Sequence, residues 1–162
     1  MSILIINRRN DLDYTTWFDQ GEELILITQQ NVKNIEKYTY VHFLDEFDKS
    51  ANLEMTAVEL HRKYKFKSII AISELDITKV AEIREYLGIP GQNYESAIAF
   101  RDKYIMKKYA YKAGIKIPKF KKIDSFKDVL DFSEEVSFPF ILKPRDAGGS
   151  IGVEKIDNID SL

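Results

Sequence analysis

An α/β fold is what the sequence predicts, and two observations predict it. Ser2–Ile6, Leu24–Thr28, Tyr40–Leu44 and Ser68–Ile72 are short apolar runs rich in isoleucine, and segments with helical apolar spacing separate and follow the later ones. Runs that are apolar throughout suit strands buried on both faces of a sheet. Strands that alternate with helices are joined by crossovers and pair mostly in parallel.

Between the third and fourth runs, Leu53, Ala57, Leu60 and Tyr64 fall on one helical face. After the fourth, Ile77, Val80, Ala81 and Leu87 predict a second helix, closed by Gly88 with Pro90 beyond. The PGQNY stretch at Pro90–Tyr94 breaks the pattern and predicts a boundary, giving domains over 1–92 and 93–162. Residues Asn93–Ala113 read as one helix with an Ile105–Tyr109–Ala113 stripe, a Gly114 cap and a Pro118 stop. Phe120–Ile123 reads as a short strand. Ser125 with Asp128 resembles a capping box for a helix over Phe126–Val136. Phe138–Lys143 and Gly152–Ile156 read as strands around a loop, and Asp157–Leu162 as a helix start. A helix that begins there has nothing to pack with, so a truncated chain is expected.

Composition narrows the function. The 162 residues are 44% hydrophobic and 31% charged, which is globular composition, and the net charge is only −2 with mixed signs. Neither nucleic acid nor a membrane surface is an expected partner. With no cysteine, disulfides, thiolate metal sites and cysteine nucleophiles are excluded. The N-terminus lacks a signal-peptide pattern, and no apolar stretch approaches the ~20 residues that span a bilayer. The expectation is a cytoplasmic protein.

The chemistry concentrates in FPFILKPRDAGGSIGVEKI, Phe138–Ile156. Gly148, Gly149 and Gly152, with Ala147 and Ser150, make a loop of little side-chain bulk, preceded by Lys143. Glycine admits positive φ and lets backbone N–H groups approach a ligand. Successive N–H groups in such a turn form an anion nest, and phosphate suits a nest beside a lysine and a hydroxyl. A glycine-rich hairpin with an exposed strand lysine is the other reading of the spacing. Neither G-x-x-x-x-G-K-[ST] nor G-x-G-x-x-G occurs. Arg145 reads as a solvated side chain, His61 as a surface helix residue, Trp17 and Phe18 as packing residues, and the DEFD run Asp45–Asp48 as a solvated loop. Glu74 follows the fourth strand at its carboxyl end. There it lines a substrate cleft or caps the next helix, and the cap is the preferred reading.

Three stretches carry a family resemblance. Phe138–Ile156 resembles the first half of an ATP-grasp nucleotide site, in which a strand lysine precedes a glycine-rich loop that folds over phosphates. FRDKYIMKKYAYKAGIKIPKF, Phe100–Phe120, resembles the linker helix of these enzymes, where an aspartate–lysine pair opens the helix and the lysine reaches phosphate. SELDITKVAEIREYLGIPG, Ser73–Gly91, resembles the end of their preceding, Rossmann-like domain. The fold implied is a Rossmann-like parallel sheet with flanking helices, then a linker helix and the first strands of an ATP-grasp α+β subdomain.

The resemblance implies that Lys103 and Lys143 bind ATP phosphates and that Gly148, Gly149, Ser150 and Gly152 form the lid. Lys103 at a helix start opposes the helix dipole, which also disfavours a purely structural role. The implied reaction is an ADP-forming ligation of a carboxylate to an amine or similar nucleophile through an acyl phosphate, with Mg²⁺ ligands expected beyond this chain. The chain is then the N-terminal fragment of a ligase and is not catalytic alone. The alternative is a non-catalytic nucleotide-binding or interaction module that needs a partner chain. Expected partners are ATP, a small carboxylate, and a second copy of the chain or the missing C-terminal portion. Neither the acyl nor the amine substrate is legible.

Overall fold

The computed structural model describes residues 1–9, 11–19, 21–49 and 51–161. The chain forms two compact units, Met1–Ala97 and a second that begins at Ile98.

The first unit is built on β1 (Ser2–Asn7), β2 (Glu23–Thr28), β3 (Tyr40–Phe43) and β4 (Ser68–Ala71). All pairs are parallel, in the order β3-β2-β1-β4, with Ile5 opposite Leu26 on one side and Ile70 on the other. Burial on both faces explains the unbroken apolar runs. Alternate residues face opposite sides of the pleat. Leu4, Ile6, Ile25 and Ile27 join Leu53, Ala57 and Leu60 of helix α1 (Asn52–Tyr64) and Val80 and Ile83 of helix α2 (Ile77–Leu87). Ile3, Ile5, Leu24 and Leu26 pack on the other side with Tyr14 and Tyr38.

Among the described residues, only the β3–β4 crossover contains an α-helix; β1–β2 and β2–β3 carry three-residue 3-10 turns, Tyr14–Thr16 and Ile35–Lys37. The Asp13 side chain caps the first of these through the N–H of Thr15. Gly88 ends α2 in the left-handed conformation, φ +66°, as its position predicts.

The DEFD run is solvated at its acids, for Asp45, Glu46 and Asp48 are exposed, but not at its phenylalanine. Phe47 is fully buried in the core, and Asp48 accepts two hydrogen bonds from Arg8. Arg8 also grips Asp76, which is wholly buried, through Nε and Nη2 at 2.7–2.9 Å. The tips of β1 and α2 are thus tied by one guanidinium. His61 is half-buried, edge-on to Phe66 with ring centroids 4.5 Å apart, rather than a surface residue. Trp17 packs edge-on against Tyr14 at 4.9 Å but stays half-exposed.

The predicted helix over Asn93–Ala113 is two helices, α3 (Tyr94–Arg101) and α4 (Lys103–Lys112). Asp102 separates them because its carboxylate caps α4, accepting from the N–H groups of Tyr104 and Ile105 at 2.9 and 3.1 Å. The predicted Ile105–Tyr109–Ala113 stripe is not a buried face, for α4 has no buried residue.

In the second unit, helix α5 (Phe126–Val136) starts where predicted: Ser125 Oγ accepts from the Asp128 N–H, and Asp128 accepts from the Ser125 hydroxyl and the Asp124 N–H. Strands β5 (Phe140–Leu142) and β6 (Glu154–Ile156) pair antiparallel, Leu142 opposite Glu154, and are shorter than predicted. Phe120–Ile123 forms no strand. Phe120 packs on Tyr104, and Lys121 reaches Asp128 and Asp131, so this segment is held by side chains rather than by a ladder. The predicted helix start at Asp157 is a 3-10 turn, Ile159–Ser161; Leu162 lies outside the described residues.

Candidate functional site

A cavity of about 1000 Å³ lies within the second unit, between α4, the segment 118–123, α5 and the β5–loop–β6 hairpin. Its lining is rich in cations: Lys103 and Lys107 from α4, Lys119, Lys121 and Lys122 from the following segment, and Lys143 and Arg145 from the end of β5. Phe120, Phe132, Phe140 and Leu142 supply apolar wall, and Gly152 lies at the rim of the loop. A cleft lined by one sign of charge beside apolar side chains focuses the field of those charges.

Helix α4 positions the lysines. Lys103 is its first residue and Lys107 lies one turn on, so both share a face. Three successive residues at the start of α4 hold the foot of the loop. Arg101 donates to the carbonyl of Asp146. Asp102 forms an ion pair with Arg145. Lys103 donates its backbone N–H to the Arg145 carbonyl at 2.9 Å and its ammonium to the carbonyls of Ala147 and Arg145. Arg145, read from sequence as solvated, is therefore the partner of the α4 cap, and its guanidinium also lies 5.8 Å from the Tyr104 ring centroid.

Burial alone would raise the Asp102 pKa. The hydrogen bonds from Arg145 and from the Ile105 and Tyr104 N–H groups outweigh it and hold the carboxyl below its usual range. Burial, followed by the neighbouring Lys143 charge, pushes the Lys107 pKa down.

Above the tied foot, the loop is shaped by backbone conformation. Gly149, Ser150 and Gly152 have φ of +61°, +62° and +67°. Two turns close it, with the Ile151 N–H on the Gly148 carbonyl and the Val153 N–H on the Ser150 carbonyl. A side chain at Gly152 would place Cβ 2.8 Å from Pro144 Cγ. Lys143, Lys103 and Gly152 thus line one cavity, while Gly148, Gly149 and Ser150 belong to the loop above it.

Glu74 lies in the first unit, exposed on a 3-10 turn, Glu74–Asp76, that follows β4. Ser73 caps this turn, accepting from the Leu75 N–H at 3.3 Å, and α2 itself has Asp76 at its N-cap with no side-chain cap bond, which corrects the preferred reading of Glu74 as the cap of that helix. Lys107 was not singled out from sequence, although its i, i+4 spacing from Lys103 carries the signal. Among the described residues no group of three His, Asp or Glu side chains is placed to hold a metal ion, and no helix is long and apolar enough to cross a membrane.

No protein-family model matches the chain. Curated proteins and solved structures similar to the chain include several ligases. D-alanine–D-alanine ligase A of Bacillus cereus is 28% identical over 145 residues, which are 88% of this chain and 45% of that protein. The fold is that of L-amino acid ligase from Bacillus licheniformis, with a TM-score of 0.78 at 16% identity over 98% of this chain and 39% of that one. N5-carboxyaminoimidazole synthetase from Staphylococcus aureus, complexed with ADP, gives a TM-score of 0.69 at 20% identity, over 99% and 42%. The chain is similar to these ligases in sequence and in fold. It spans less than half the length of the curated relative it matches here.

Proposed function

We propose that the second unit supplies the phosphate side of an ATP site, within a protein that ligates a carboxylate to an amine and forms ADP. The observation that carries this reading is the cavity whose wall combines Lys103, Lys107 and Lys143 beneath a loop of positive-φ residues. Lys143 and Lys103 contact phosphate oxygens, and Gly148, Gly149, Ser150 and Gly152 close over them with backbone N–H groups. Lys103 exchanges its loop carbonyls for phosphate, so the same ammonium holds the loop foot and senses the ligand. In the proposed reaction the carboxylate attacks the γ-phosphorus, ADP leaves, and the amine then displaces phosphate from the acyl phosphate. The protein's part is positioning and electrostatic stabilisation, for which no protein nucleophile is needed. Mg²⁺, when bound, offsets phosphate charge, and its ligands are expected outside the described residues. We place the Rossmann-like domain at 1–92 and the linker and ATP-grasp part at 93–162, with Glu74 on the substrate side and the protein in the cytoplasm.

The test is calorimetric titration of the chain with ATP and Mg²⁺. Lys143→Ala should weaken binding roughly tenfold or more, the loss expected for a contact to a charged group. Equal affinity in the variant would overturn the role of Lys143.

A second reading has its own observation. Among the described residues β5 and β6 form a two-stranded sheet, and Ile141, Ile151 and Val153 nearby are exposed. An interaction module that docks a partner chain on this hairpin would bind no nucleotide until the partner is present, so ATP binding by the chain alone counts against it.

A further inference from the structure

We infer that Lys107 is a third ligand of the polyphosphate, paired with Lys143 across one wall of the cavity; this rests on the ATP-site reading above. Each other cation of the cavity has a partner. Lys119 pairs with Glu135 at 3.2 Å, Lys121 with Asp128 and Asp131 at 3.6 and 3.5 Å, and Lys122 with Asp124 at 2.8 Å. Arg145 pairs with Asp102, and the Lys103 ammonium lies on loop carbonyls. Lys107 and Lys143 have no carboxylate within ion-pair distance among the described residues, yet they line the same cavity.

Lys107 is also half-buried, with its ammonium 5.3 Å from the centroid of the Phe120 ring. Desolvation and the Lys143 charge both oppose its protonated form. An apolar side chain of similar length would fill that space without the desolvation penalty of a half-buried charge that has no carboxylate partner. Two ammonium groups that repel on one wall are favourable together when an anion of two or more charges lies between them, and a row of linked phosphates has that charge and length. The ring face of Phe120 keeps the Lys107 ammonium aimed along the wall while the anion is away.

The test compares ATP, ADP and AMP binding to the wild-type chain, Lys107→Met, Lys107→Arg and Lys143→Ala. Lys107→Met should lose roughly tenfold in affinity for ATP and ADP, with AMP little changed and Lys107→Arg close to wild type. Unchanged ATP affinity in Lys107→Met, with the loss confined to Lys143→Ala, would overturn this inference and leave the ATP site standing. A wild-type chain that binds ATP no better than AMP would remove both. If Lys107→Met fails to fold, amine acetylation of the wild-type chain gives the second readout. ATP should protect Lys107 and Lys143 together, and protection of Lys143 alone would overturn the inference.

Discussion

Asp102 caps helix α4 and at the same time forms an ion pair with Arg145, 43 residues later in the chain. One carboxylate therefore fixes both the start of the helix that presents Lys103 and Lys107 and the foot of the glycine-rich loop. Asp102→Ala should lose about 1 kcal/mol for the cap and release Arg145. Asp102→Asn keeps an N-cap and should lose less. Thermal unfolding reads the stability, and hydrogen exchange at residues 145–147 reads the loop foot.

The same carboxylate predicts a pH dependence. Its pKa is held below the ordinary range in the folded protein. Its contribution is therefore fully present above the ordinary carboxylate range and is lost as pH falls through the depressed folded value. Unfolding midpoints followed into acid should fall less steeply in Asp102→Asn than in the wild type, and parallel curves would count against the pair.

Gly152 combines a φ of +67° with a Cβ position 2.8 Å from Pro144 Cγ. Gly152→Ala must strain the backbone and displace the proline ring, at about 1–2 kcal/mol for the left-handed conformation alone. Ser150 already holds a positive φ with a side chain, so Ser150→Gly should not destabilise. The expected contrast is faster exchange across residues 147–153 in Gly152→Ala and no loss of thermal stability in Ser150→Gly.

In the first unit, Arg8 separates two kinds of ion pair. Asp76 is wholly buried and Asp48 is exposed, both on the same guanidinium. Arg8→Ala leaves Asp76 buried without a counter-charge and should cost about 3–5 kcal/mol. Asp48→Ala removes only the exposed partner and should cost about 1 kcal/mol or less. Denaturant titration of both variants measures the difference.

The sheet was legible because strands buried on both faces are apolar without interruption, as Ile3–Ile6 and Leu24–Ile27 are. The loop was legible because its clustered glycines carry little side-chain bulk and admit the positive φ found at Gly149 and Gly152. What escaped was held by partners far away in sequence. Arg145 and Asp48 read as solvated because their partners, Asp102 and Arg8, lie 43 and 40 residues away. The apolar spacing read through the break between α3 and α4 because FRDKY contains no glycine or proline, and only the family resemblance set a helix start at Asp102–Lys103. Phe120–Ile123 has strand composition, but its side chains pack and pair within the unit and no ladder forms. The first two crossovers are too polar for helical spacing, and three-residue turns leave no periodic trace.

The proposed role of the cationic cavity of the second unit is to receive the phosphates of ATP. Titrating a ¹⁵N-labelled chain with ATP and Mg²⁺ tests it most directly, because amide shifts report where the nucleotide sits even when affinity is modest. The prediction is a set of perturbed amides clustered at Lys103–Lys107, Lys143 and Gly148–Gly152, which shrinks in Lys143→Ala. Perturbations confined to the first unit, or none at millimolar ATP, would contradict it.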